Sequence, residues 1–143
     1  MTWGEIKLSA LKKMFAKDEI IKVADLDRLS SDDDTKVYLN GMVEAGNEAI
    51  NRILPYYQNN FEYSKNEKKY VVVEKYKLTE STANDEELPF ADEACVLIPL
   101  YIASQLYKDD DIAQATQYRN EFEIGLQELQ RYIDNPTEVE IVF

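Results

Sequence analysis

Between Ala94 and Ala103 the chain carries no charge, and Val96-Leu97-Ile98-Pro99-Leu100-Tyr101-Ile102 offers no polar face at any helical phase. A helix with apolar residues all round must be covered on every side. This is the pattern of a helix buried by its neighbours. The spacing predicts a third helix over 91–107, introduced by Pro89 and Asp92. Pro99 has no N–H for the carbonyl of Cys95, so a kink is expected there. The longest apolar run, Ala94 to Ala103, is about half of the roughly 20 residues that a bilayer span needs, and no membrane segment is expected. Asp109-Asp110-Asp111 then closes the segment with an acidic turn.

Three further helices have readable starts. Thr2 and Glu5 form a Thr-x-x-Glu capping box, in which each side chain satisfies a free backbone N–H at a helix start. Trp3, Ile6, Ala10, Leu11, Met14 and Phe15 follow at helical spacing, giving a first helix over about 3–16. Asp32-Asp33-Asp34 suit the positive end of a second helix, about 33–54, whose buried stripe is Leu39, Met42, Ala49, Ile50 and Ile53. Gly41 and Gly46 weaken it by about 1 kcal/mol each relative to Ala, so a break near Gly41 or close packing at Gly46 is expected. Pro55 ends it. The fourth helix, about 111–134, displays Ala115, Tyr118, Phe122, Leu126, Leu129 and Ile133 at spacings of three and four, and Asn135-Pro136 stops it. The segment 18–31 reads as an ordered loop in which Ile20, Ile21, Val23 and Leu26 can tuck against the core.

Over about 60–78 the pattern changes. Phe61, Tyr63, Tyr70, Val71, Val72, Val73 and Tyr76 are aromatic or β-branched, and a polar connection at 64–68 separates two runs. This predicts a small β-hairpin between helices two and three. Residues 79–87 form a polar loop. The C-terminal stretch 137–143 alternates at first and then ends wholly apolar, as an extended tail. Leaving Ile-Val-Phe in water is costly, so the tail is expected to pair with its own hairpin or with a partner's sheet edge.

At 143 residues the chain suits a single domain with a real core and no need of disulfides. Cys95 is the only cysteine and sits among apolar neighbours, a buried inert thiol. Charged residues near the N-terminus argue against a signal peptide, and a soluble intracellular chain is expected. A net charge of −12 with no histidine argues against sequence-specific nucleic-acid binding, which draws its affinity from Lys and Arg on phosphates. The same charge suits a wall along which DNA slides, and it also suits plain solubility. Without histidine there is no catalytic triad and no His-containing zinc site. Four glycines form no phosphate-binding loop. The two Asp runs fail the EF-hand pattern, with Val37 and Val43, or Gln114 and Asn120, where Gly and Glu are required. Glu44 and Glu48 share a helix face, but no second helix offers a matching pair. No enzyme activity, cofactor or metal is expected.

The stretch from Thr2 to Phe15, opening Thr2-Trp3-Gly4-Glu5-Ile6-Lys7-Leu8, the stretch from Tyr38 to Leu54 and the stretch from Ala91 to Leu129 together resemble the head–tail connector (adaptor or head-completion) proteins of tailed bacteriophages. Within the last stretch the resemblance is carried by Pro99-Leu100-Tyr101-Ile102-Ala103-Ser104-Gln105-Leu106-Tyr107-Lys108-Asp109-Asp110-Asp111. Relatives often carry a larger β-rich insertion between helices two and three; here that region is short. The resemblance implies a mainly α fold: a connector-like four-helix bundle with the small hairpin and an extended C-terminal tail. It implies a structural virion protein of the neck, assembled in the host cytoplasm as a closed homo-oligomeric ring, typically of about twelve copies in such families. Its partners would be the portal protein and a tail or second neck-ring protein, with DNA passing through its channel. Val139, Ile141, Val142 and Phe143 would be the portal contact. Tyr63, Tyr70 and Tyr76 would serve subunit or hairpin contacts, while Thr2, Glu5, Trp3 and Pro99 are structural. Lys65, Lys68, Lys69, Lys75 and Lys77 make the hairpin locally basic, a solvated face or a contact to an acidic partner. The alternative is an acidic monomeric interaction module, regulatory or DNA-mimicking, that binds a basic partner.

Overall fold

The structure is a computed structural model and describes residues 1–14, 22–23, 26, 33–56, 61–64, 69–72 and 76–134. These are mainly helical. Helix α1 spans Trp3–Met14 and α2 spans Asp33–Ile53, followed by a 3-10 turn at Leu54–Tyr56. Strands β1 (Phe61–Ser64) and β2 (Lys69–Val72) pair antiparallel, with Phe61 opposite Val72 and Tyr63 opposite Tyr70. Helices α3 (Asp92–Cys95), α4 (Leu97–Leu106) and α5 (Ile112–Asp134) complete the chain's described elements.

Helix α4 lies at the centre and packs against α1, α2 and α5. Its Leu97, Ile98, Pro99, Tyr101, Ile102, Ala103 and Ser104 are all buried, which is why its sequence shows no polar face. The covering helices bring one stripe each. Trp3, Ile6 and Leu11 come from α1, Met42, Ile50 and Ile53 from α2, and Phe122, Leu126 and Leu129 from α5. Leu26 is buried as well, and Val23 packs against the same core.

The third helical segment is not the single helix over 91–107 that its sequence predicts. It breaks at Val96, three residues before Pro99, into α3 and α4. The break has a physical cause. Pro99 lacks an N–H and crowds the carbonyl four residues back, and ending α3 at Cys95 places the proline in the first turn of α4. There its missing donor has no intrahelical partner to lose. A kink at Pro99 is therefore replaced by a junction at Val96. Helix α2, by contrast, continues through both Gly41 and Gly46.

Two local devices fix the ends. The Thr2 N–H donates to Glu5 Oε1 (3.0 Å) and the Glu5 N–H donates to Thr2 Oγ1 (3.2 Å), closing the capping box. The next free donors of α1 are taken by a distant loop: the Trp3 N–H donates to the Glu86 carbonyl and the Gly4 N–H to the Asn84 carbonyl, both at 2.8 Å. Leu78, expected within the hairpin, lies outside both strands and is fully buried in the core. Asn47 of α2 holds it there, donating Nδ2–H to the Leu78 carbonyl (2.9 Å) and accepting the Leu78 N–H at Oδ1 (2.8 Å).

Candidate functional site

The face formed by α2, α4 and α5 carries the densest polar chemistry among the described residues. Arg52, in the last turn of α2, donates to Glu123 Oε2 at 2.9 Å. Arg119 Nε–H, one turn before Glu123 on α5, donates to Oε1 of the same carboxylate at 3.1 Å. The Arg119 guanidinium lies 4.9 Å from the Tyr101 ring centre, and Tyr101 meets Phe122 edge-on at 5.0 Å. The Tyr101 hydroxyl donates to Glu48 Oε2 at 2.9 Å. Charge, ring and carboxylate thus form one continuous chain across three helices.

Its electrostatics are those of a satisfied network. The bond from Arg52, seconded by Arg119, holds the Glu123 carboxyl below the usual carboxylate range, and Glu123 in turn raises Arg52. Burial and then the bond to Glu48 push the Tyr101 hydroxyl up. Arg52, Arg119 and Glu123 remain 37–42% exposed, so solvent screens the pairing and its contribution to stability is small. The arrangement neutralises its own charges.

Other tyrosines repeat this use of the ring edge. Tyr38 donates its hydroxyl to the Asp110 carboxylate, linking the start of α2 to the acidic turn. Tyr118 donates to the Lys13 carbonyl at 2.6 Å, and Tyr76 donates to Glu86 Oε2 at 2.5 Å. With Tyr101, four tyrosine hydroxyls thus bond to acceptors within the chain. Their partners lie far away in sequence, so no local pattern announces them.

Of the residues singled out from sequence, Thr2, Trp3 and Glu5 meet at the α1 cap, and Pro99 sits in the first turn of α4. Tyr63 and Tyr70 are register partners in the β1–β2 pairing. Tyr76 is half-buried and meets Phe90 edge-on at 5.9 Å. Val139, Ile141, Val142 and Phe143, with the whole tail 137–143, lie outside the described residues. Cys95 is buried and its thiol faces the Phe90 carbonyl at 3.5 Å.

Two surface depressions border α4. One, of about 260 Å³, is lined by Glu44, Glu48, Gln105 and Lys108 beside Gly41. The other, of about 300 Å³, lies between the α3–α4 junction and α5. Four large apolar side chains are exposed: Val37, Val96, Ile112 and Ile124, at 71%, 49%, 74% and 56%. Val96 belongs to the run expected to be covered on every side, and its exposure at the α3–α4 junction corrects that expectation; Val37, Ile112 and Ile124 were assigned to no buried stripe. Among the described residues no group of three or more potential metal ligands comes together, and no helix is long and apolar enough to cross a membrane. No family model, curated protein or solved structure matches the chain.

Proposed function

We propose that this chain is a structural subunit of the neck of a tailed bacteriophage, forming a ring that docks on the portal and extends the DNA channel toward the tail. The observation that carries the reading is where the resembling segments lie. The stretches 2–15, 38–54 and 91–129 contribute α1, most of α2, and α3 to α5, the elements that share one core around α4. In this reading they form a connector-like four-helix bundle, with α3 and α4 counted as one interrupted helix. The β1–β2 pair is its hairpin, and 137–143 is an extended arm.

Function would then be geometric. Val37, Val96, Ile112 and Ile124 are apolar side chains standing in water, and neighbouring copies would cover them. The acidic surface would line the passage, where repulsion keeps DNA from sticking. Val139, Ile141, Val142 and Phe143 would add to a sheet edge on the portal. Negative-stain imaging of the chain mixed with its cognate portal tests the ring, with a stacked second ring expected. Truncation after Pro136 should abolish portal binding; unchanged binding would remove the arm from the account.

One feature favours the rival, an acidic monomeric module for a basic partner. Residues 79–93 carry Glu80, Asp85, Glu86, Glu87, Asp92 and Glu93 without a Lys or Arg among them. A chain that stays monomeric and captures a DNA-binding protein, with no affinity for portal, would decide for that module.

A further inference from the structure

Asn40 is the one asparagine of this chain that is followed by a glycine. Asparagine is a chemically labile residue, and this pair carries a reaction of its own. The Gly41 backbone nitrogen bonds to Asn40 Cγ, the Cγ–Nδ2 bond breaks, and ammonia leaves with the proton of the Gly41 N–H. Water then opens the five-membered succinimide to aspartate or to isoaspartate, whose main chain runs through the side-chain carbons. Glycine at the second position favours ring closure, because no Cβ crowds the attacking nitrogen. Asn40 is exposed, so water reaches its amide.

Helix α2 withholds this reaction. In an α-helix the Gly41 N–H is committed to the carbonyl four residues back, at Val37, and Asn40 is held at a ψ of about −42°. The ring cannot close until that bond breaks and ψ turns away. The part of α2 that must open is weakly held. From Lys36 to Gly41 no residue is buried, and Val37 is 71% exposed; burial in the helix begins at Met42. Tyr38 and Leu39 only edge the core. The anchors are the Tyr38 hydroxyl on the Asp110 carboxylate and the close approach of Leu106 to Gly41. Segments with few buried apolar contacts open at the low end of a protein's range of local stabilities.

We infer that Asn40–Gly41 is a deamidation site gated by the first two turns of α2, closed while the Tyr38–Asp110 bond holds those turns and reactive when they open. Neither the ring nor the portal enters into it. Either product places a new carboxylate one turn from Glu44, where like charges repel. Isoaspartate also adds a methylene to the main chain, so the hydrogen-bond ladder loses its register at residue 40. The turns before Gly41 then no longer re-form on the rest of α2. A passing opening becomes a permanent one, in the segment that carries the exposed Val37.

Peptide mapping by mass spectrometry, with chromatographic separation of the aspartyl and isoaspartyl products, follows the reaction in the full chain at mildly alkaline pH. A synthetic peptide of residues 37–44 in the same buffer gives the ungated rate. Asn40 should be the principal site and should react at least about tenfold more slowly in the chain than in the peptide. Tyr38→Phe removes only the hydroxyl and should speed the reaction in the chain at least about threefold. Gly41→Ala should slow it in chain and peptide alike, because the new Cβ crowds the nitrogen. Low urea separates a local gate from global unfolding. Opening two turns exposes little surface, so the rate should stay level below the unfolding transition, whereas opening the whole fold would raise it steeply. A chain that reacts as fast as the peptide, a dominant site at another asparagine, an unslowed Gly41→Ala or a steep rise in low urea would each overturn the gated site. So would a Tyr38→Phe chain whose rate is unchanged, or whose Asn40 stays intact after the peptide has reacted.

Discussion

The Thr2–Glu5 box makes the start of α1 sensitive to acid. Bonds from the Thr2 backbone N–H and hydroxyl hold the Glu5 carboxyl below its ordinary range. A carboxyl depressed on folding contributes stability above its unfolded pKa, and that contribution is lost as the pH falls through the folded value. Glu123, depressed mainly by Arg52, follows the same sign. Glu5→Gln keeps an acceptor in the box but removes the titration, and Glu123→Gln does likewise in the network. Each should therefore flatten the fall of unfolding free energy measured by urea titration between neutral and acidic pH. Thr2→Ala removes the cap itself and should cost about 1 kcal/mol at neutral pH. The other sensitive residue is Asn47. Asn47→Ala leaves the Leu78 N–H and carbonyl without their partners, at a cost of about 1–3 kcal/mol, readable as a lowered denaturation midpoint.

Among the elements, α2 offers a matched pair of glycines with opposite expected outcomes. A Cβ at Gly46 would lie 2.8 Å from Leu78 Cδ1 and 3.2 Å from the Trp3 ring, both fully buried. Leu78 is clasped by Asn47, so it cannot withdraw, and Gly46→Ala should destabilise by about 1–3 kcal/mol through overpacking. At Gly41 the Cβ meets the tip of Leu106, a half-buried side chain. That tip can turn away, so the gain in helix propensity prevails and Gly41→Ala should stabilise by up to about 1 kcal/mol. Thermal melts of the two variants check both signs. The same contrast marks what the sequence makes readable. The α1 cap and the stripes of α2 and α5 are local patterns, fixed by residues three or four positions apart. The disruption by Pro99 was also readable, but its position was not: whether the helix bends at the proline or restarts before it depends on which residues the core must bury. Arg119 and Glu123 form a local i,i+4 pair, but the Asn47 clasp, the bond from Arg52 to Glu123 and the stacking of Arg119 on Tyr101 join distant segments that no spacing rule connects. The exposure of Val96 follows from the break itself.

For the whole molecule, the account joins a net charge of −12 to apolar side chains that remain in water. An acidic surface keeps copies apart at long range, while uncovered Val37, Val96, Ile112 and Ile124 favour contact at short range. The proposed neck role would reconcile the two, with identical neighbours covering the apolar sites and the charged remainder facing water and passing DNA. The most direct test is the mass of the purified chain by native mass spectrometry, alone and with its cognate portal. The account predicts closed assemblies of about twelve copies of the 16.6 kDa chain on the portal ring. A species that remains at 16.6 kDa across the concentration range, and leaves the portal's mass unchanged, would contradict it.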